Sequence, residues 1–168
     1  MDEDELASRH HPVEEDMPAQ RRVWRFERVG WCALLLIALL GLTGLFGNGP
    51  LSEATVQSAD GRVTVDYQRL SRSGTLEDLR IHVQGTAGEP LTVLLGGSLL
   101  RKASIETLQP EPLTSLSQGE ALLLNLGAPE GGTATLYLTL RSEHVGALEG
   151  TVSAGAGSAV RFTIFVYP

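Results

Sequence analysis

The chain has 168 residues, a formal charge of -7 and a single cysteine, Cys32. An acidic balance excludes the basic footprint of a nucleic-acid binder. One cysteine excludes an intramolecular disulfide, no Cys/His cluster has zinc spacing, and any folded domain must therefore stand on its apolar core.

Residues 1–20 form the first segment, with DEDELASRHHPVEEDMPAQ after Met1. Two acidic clusters flank His10-His11, and the apolar residues are few and unpatterned. Such a segment cannot bury enough surface to offset chain entropy, so it is expected to be a disordered arm. Adjacent histidines on such an arm make a poor preorganised metal site, and no metal or cofactor is expected.

Residues 21–28 are basic, with Arg21, Arg22, Arg25 and Arg28 interleaved with Trp24 and Phe26. From Val29 to Phe46 no charge occurs: VGWCALLLIALLGLTGLF. As a helix this run is about 27 Å long, close to the ~30 Å hydrocarbon core of a bilayer. It has no charged face, unlike a soluble amphipathic helix. A transmembrane helix over 29–46 is therefore expected. The arginines hold the N-terminus in the cytoplasm and send the C-terminal part across, while Trp24 and Trp31 suit the headgroup layer. All but Lys102 of the 13 basic residues are Arg, a bias that fits a GC-rich bacterial genome. The expected location is the bacterial inner membrane, single-pass, with the C-terminal domain periplasmic or extracellular.

Residues 47–59 read as a linker opened by Gly47-Asn48-Gly49-Pro50. Ser52-Glu53-Ala54 offers a signal-peptidase site after Ala54. The arm before the apolar run is longer, and the run itself longer, than in an ordinary signal peptide. A retained signal-anchor is the expected form.

From residue 60 to 168 the hydrophobic pattern changes to period two. Val63, Val65 and Tyr67 alternate with Thr64, Asp66 and Gln68; Leu79, Ile81 and Val83 with Arg80, His82 and Gln84. Leu91, Val93 and Leu95 follow the same rule, as do Ala134, Leu136, Leu138 and Leu140, and then Val160, Phe162, Ile164 and Val166. ALLLNLG, residues 121–127, is nearly continuous and reads as a central strand. Weaker candidates lie at 99–107 and 147–152. Asp60-Gly61, Ser73-Gly74, Gly88, Gly96-Gly97, Gly127 to Gly132 and Ser153 to Ser158 mark turns. Seven or eight short strands with Gly-rich turns indicate an antiparallel β-sandwich, Ig-like in its commonest form, with a small closed barrel as the alternative.

The segments RVWRFERVGW, GLFGNGPLS and RFTIFVYP carry a loose resemblance. The layout resembles uncharacterised bacterial single-pass membrane proteins with an Arg-rich cytoplasmic arm and a C-terminal all-β extracytoplasmic domain. That resemblance implies a topology and no mechanism.

Candidate chemistry is sparse. His82 falls on the polar face of its strand and His144 in a loop or strand end. Gly96-Gly97-Ser98 lacks the second glycine of a nucleophile elbow. Glu77, Asp78, Glu111, Glu120 and Glu130 lie beside turns, where solvated carboxylates are ordinary. No enzyme is expected. The expected function is a membrane-anchored, non-enzymatic β-domain that binds or supports a partner membrane or envelope protein. The alternative is an extracytoplasmic small-ligand receptor or sensor. Tyr137, Phe165 and Tyr167 are the candidate partner patch, because Tyr is enriched at interface hot spots.

Overall fold

A computed structural model describes residues 17–42, 52–155 and 157–168. Two compact units divide the chain near residue 40, a helical one and a β one.

The first unit contains helix α1, Met17–Leu42. Leu, Ala and Arg dominate it, all strong helix formers, and Pro18 sits in the first turn, where its missing N–H costs nothing. Residues 17–20 of the expected disordered arm and the basic segment 21–28 are therefore helical, and 1–16 lie outside the described residues. Large apolar side chains are exposed along the rest: Val29, Trp31, Leu34, Leu36 and Leu39 are each more than half accessible. Among the described residues, no helix is long and apolar enough to cross a membrane. The described helix, which ends at Leu42, does not support the expected 29–46 span. The uncharged part of α1 runs only from Val29 to Leu42, about 21 Å. An 18-residue window ending at Leu42 takes in Arg25, Glu27 and Arg28. Residues 43–46 and the Gly47–Pro50 exit lie outside the described residues.

The second unit is a sandwich of two sheets. One has five strands: β1 Glu53–Gln57, β2 Val63–Gln68, β4 Leu76–Gln84, β9 Thr133–Ser142 and β6 Ala103–Gln109, adjacent in that order. The other has six: β3 Leu70–Arg72, β11 Ala159–Tyr167, β10 Gly146–Ser153, β5 Thr92–Gly96, β8 Ala121–Asn125 and β7 Thr114–Gln118. All pairings are antiparallel except β3 with β11. Val63, Val65, Ile81, Leu136 and Leu138 from one sheet and Val93, Leu95, Leu124, Val152, Phe162 and Ile164 from the other are almost wholly buried between them. This is the period-two pattern of the sequence turned into a core, with inner faces apolar and outer faces mostly polar.

The all-β sandwich is as expected, and the closed barrel is not formed, since the two sheets stay separate. The strand count is corrected from seven or eight to eleven among the described residues. An Ig arrangement has seven or nine strands, so the simple Ig count is not met. Three local events account for the excess. Residues 53–57, expected in the linker, pair with β2 as β1. The run 62–70 leaves one sheet for the other at Arg69, whose N–H donates to Ser52 O at 2.7 Å and whose carbonyl accepts from Phe165 N at 2.8 Å. Residues 114–118, with no apolar alternation, pair with β8 as β7. The weak candidate 99–107 divides into a five-residue helix α2, Ser98–Lys102, and β6. Gly97, before α2, has φ 99°, and a Cβ there would strike Glu149 O, so no other residue fits this corner.

ALLLNLG is not central. β8 lies between β5 and the edge strand β7. Its apolar run is continuous because Leu122 and Leu124 face the core while Leu123 joins leucines on the outer face.

Candidate binding face

The outer face of the five-stranded sheet carries a groove of about 760 Å³ that crosses every strand. Period-two alternation puts the residues opposite the core onto this face. Pairing register then aligns them in a row: Thr55 beside Asp66, Asp66 beside Arg80, Arg80 beside Tyr137, and Tyr137 beside Gln109. Asp78, Thr139 and Thr107 form a neighbouring row.

These side chains hold each other across strands. Thr55 Oγ1 donates to Asp66 Oδ1 at 2.6 Å, and Thr139 Oγ1 to Asp78 Oδ1 at 3.0 Å. The Arg80 guanidinium carbon lies 5.2 Å from the centre of the Tyr137 ring, within cation–π range. Beyond the row, His82 Nε2 is 3.3 Å from Asp66 Oδ2 and His82 Nδ1 is 3.0 Å from Thr135 Oγ1. A polar chain therefore runs Thr55–Asp66–His82–Thr135 over four adjacent strands. His82 sits on the outward face, where its place opposite Leu79, Ile81 and Val83 puts it.

Thr135, His82 and Asp66 are residue types that a hydrolase aligns as nucleophile, base and orienting acid. Here they stand on an outward sheet face with His82 and Asp66 side chains 41% and 37% accessible. The backbone N–H groups around them are engaged in the β2–β4 and β4–β9 ladders, so they do not converge on an oxyanion as hydrolysis requires. The arrangement suits cross-strand positioning of polar groups. His144 lies in the loop after β9, and its N–H donates to Ser142 Oγ at 3.2 Å. Among the described residues no group of acidic, His or Cys side chains could hold a metal ion.

Two expectations about individual residues change. Glu77 and Asp78 lie within β4 and not beside a turn; Glu77 Oε1 accepts from Ser71 Oγ at 2.7 Å, and Asp78 lines the groove. The aromatic patch is divided. Tyr137 projects from β9 and is 49% exposed, whereas Phe165 projects from β11 and is 50% exposed. Those strands belong to different sheets, so the two rings face away from the core on opposite sides. Tyr167 is half-buried on the Phe165 side. Only Tyr137 meets the groove. Sequence reasoning missed Asp66, Arg80, Thr55 and Gln109 as its neighbours, because their signal was the polar half of an alternation and pairing alone makes it a row.

On α1, Arg21, Arg22, Trp24, Arg25, Arg28 and Trp31 are all exposed, and Arg28 stacks over the Trp24 ring at 3.6 Å, one helical turn away.

Comparison with protein-family models and with curated proteins found no match. Among solved structures, the non-cellulosomal cohesin from the hyperthermophilic archaeon Archaeoglobus fulgidus is similar at TM-score 0.38 and 10% identity, over 61% of this chain and 88% of that one. The chitin-binding domain of a hyperthermophilic chitinase from Pyrococcus furiosus is similar at TM-score 0.39 and 14% identity, over 67% of this chain and 100% of that one. A CARDB domain from Pyrococcus furiosus, in complex with di-metal ions, is similar at TM-score 0.38 and 13% identity, over 61% and 84%. Likeness this loose assigns neither family nor function.

Proposed function

We propose that the chain is a membrane-tethered, non-enzymatic β-sandwich that binds a partner membrane or envelope protein on the outer face of its five-stranded sheet. The observation that carries this reading is the groove whose polar side chains are already ordered by cross-strand bonds. Ordered side chains lose little entropy when a partner docks. Tyr137 and Arg80, near its middle, are the residue types that dominate interface energetics. Glu53, Asp66 and Asp78 outnumber Arg80 along it, which suits a partner segment bearing Lys or Arg.

The tether is α1. Its apolar side chains from Val29 to Leu42 are stable against lipid rather than water. Its arginines suit anionic headgroups, and the positive-inside rule supports an N-terminus in the cytoplasm of a bacterial inner membrane with the sandwich outside. The full chain is retained in the membrane pellet after alkaline washing; its release into the soluble fraction overturns the tether. A cytoplasm-only reporter fused after Pro168 is silent, and its activity reverses the orientation.

The partner is tested by affinity recovery of the full chain from detergent-solubilised host membranes. Tyr137→Ala with Arg80→Glu abolishes recovery without changing the far-ultraviolet spectrum. Equal recovery by residues 1–51 alone, which lack the sandwich, sinks the proposal. The groove volume also falls in the size range of small-molecule sites, which favours a ligand receptor as the second reading. Ligand-dependent thermal stabilisation with no protein recovered selects that one.

A further inference from the structure

Four strands form the edges of the two sheets: β1 and β6 in one, β3 and β7 in the other. Open edges invite pairing with another chain, and edge strands ordinarily carry charge, brevity or a bulge against it. β1 carries Glu53, and β6 carries Glu106 and a register shift between Ile105 and Thr107. β3 is three residues long and ends in Arg72. β7, Thr114-Ser115-Leu116-Ser117-Gln118, has no such device. It bears no charge and no proline, its pairing with β8 is unbroken, and all five of its residues are exposed.

An apolar stripe runs to this edge. Register aligns Leu94, Leu123 and Leu116 across β5, β8 and β7. Val93, Leu95 and Leu124, their chain neighbours, are buried in the core, so the stripe lies on the outer face. Leu94 and Leu123 are half-buried, and Leu116 is 61% exposed at the rim. A lone exposed leucine is ordinary. A leucine stripe that ends on an unprotected edge is not.

We infer that β7 pairs antiparallel with β7 of a second copy of this chain, about a two-fold axis at Leu116. Such an isologous contact needs a self-complementary patch, and β7 is one. With Leu116 opposite its own copy, Ser115 meets Ser117 and Thr114 meets Gln118, so no charges of like sign face each other in a chain of net charge -7. Glu120, just past the strand, is paired with Arg101 at 3.0 Å. The two leucine stripes join into one that crosses the dimer, and two six-stranded sheets become a single sheet. The pairing is independent of the groove, which belongs to the other sheet.

The full chain in mild detergent tests this by light-scattering mass and by cross-linking. The wild type is a dimer. Leu116→Lys sets two ammonium groups against each other and raises the dimer dissociation constant about tenfold or more, with an unchanged β-sheet spectrum. In a Cys32→Ser background, Leu116→Cys forms an intermolecular disulfide, because antiparallel partners stand about 4.5–5.5 Å apart, within disulfide reach. Thr163→Cys, exposed on β11 of the same face, does not. A monomeric wild type, a dimer that survives Leu116→Lys, equal cross-linking at both positions, or a different protein paired with β7 overturns the inference. If Leu116→Lys fails to fold, the cysteine pair decides alone.

Discussion

Asp60 accepts hydrogen bonds from Ser158 Oγ and from Ser58 Oγ, the latter at 2.6 Å, and so ties the turn between β1 and β2 to the loop before β11. Those strands lie in different sheets, so one carboxylate clamps one end of the sandwich. Ser58 Oγ in turn accepts from Val63 N at 3.0 Å. The Ser158 bond first and the Ser58 bond second lower the Asp60 pKa from 3.8 to about 2. A group whose pKa is depressed on folding stabilises the folded state above its unfolded pKa and loses that contribution as pH falls through the folded one. The stabilisation is therefore complete above about pH 4 and disappears towards pH 2. Asp60→Asn is less stable than wild type at neutral pH, and the gap in Tm narrows across that window. A gap that stays constant down to pH 2 refutes the linkage.

Gly150 and Phe162 are direct cross-strand partners in β10 and β11. The Phe162 ring lies over Gly150 so closely that a Cβ there would enter it. The same ring meets Tyr67 of the opposite sheet at 5.0 Å between centroids. Gly150→Ala overpacks this junction and costs about 1–3 kcal/mol, while Phe162→Ala opens it and costs about 3–5 kcal/mol. Because both act on one ring, the double variant loses less than the sum. Urea denaturation of the three variants checks this, and strict additivity counts against the contact.

Ser52 is fully buried, and its Oγ lies 3.2 Å from Leu70 O and 3.3 Å from Leu70 N. It pins the corner where the chain passes from β2 to β3. Ser52→Ala leaves Leu70 N without this acceptor and costs about 1–3 kcal/mol, read from the shift of the denaturation midpoint.

The neighbouring Ala54 is buried within β1, paired with Tyr67. Cleavage after Ala54 would divide β1 and remove the Ser52 pin. Any processing of the chain is therefore expected to fall before Ser52. Terminal sequencing that begins at Thr55 contradicts this.

Leu138 is 1% exposed on β9, an interior strand of the five-stranded sheet, against 61% for Leu116 on the edge strand β7. Leu138→Ala costs about 2–5 kcal/mol. Leu116→Ala changes the unfolding free energy of the monomer by less than about 0.5 kcal/mol. Melts at high dilution separate the two.

The inner faces were legible before any coordinates. Val63 and Val65, Leu79, Ile81 and Val83, Leu136, Leu138 and Leu140, and Phe162, Ile164 and Val166 all face the core, because alternation is a property of a strand by itself and burial must follow it. The polar setting of His82 was legible for the same reason. Other features were not. β1 and β7 have little apolar alternation and exist as strands through the ladders that β2 and β8 offer them. Arg69 marks a change of sheet that no local pattern announces. The 29–46 run showed the apolar character of α1, but the described helix also includes the charged turns before it.

The sequence by itself determined which side of most strands is apolar, because side-chain period is local. Tertiary structure alone decided which strands are neighbours, and strand order depends on contacts between residues far apart in the chain. That order puts Tyr137 and Phe165 on opposite faces, gathers Thr55, Asp66, Arg80 and Tyr137 into one groove, and leaves Leu116 at an open edge.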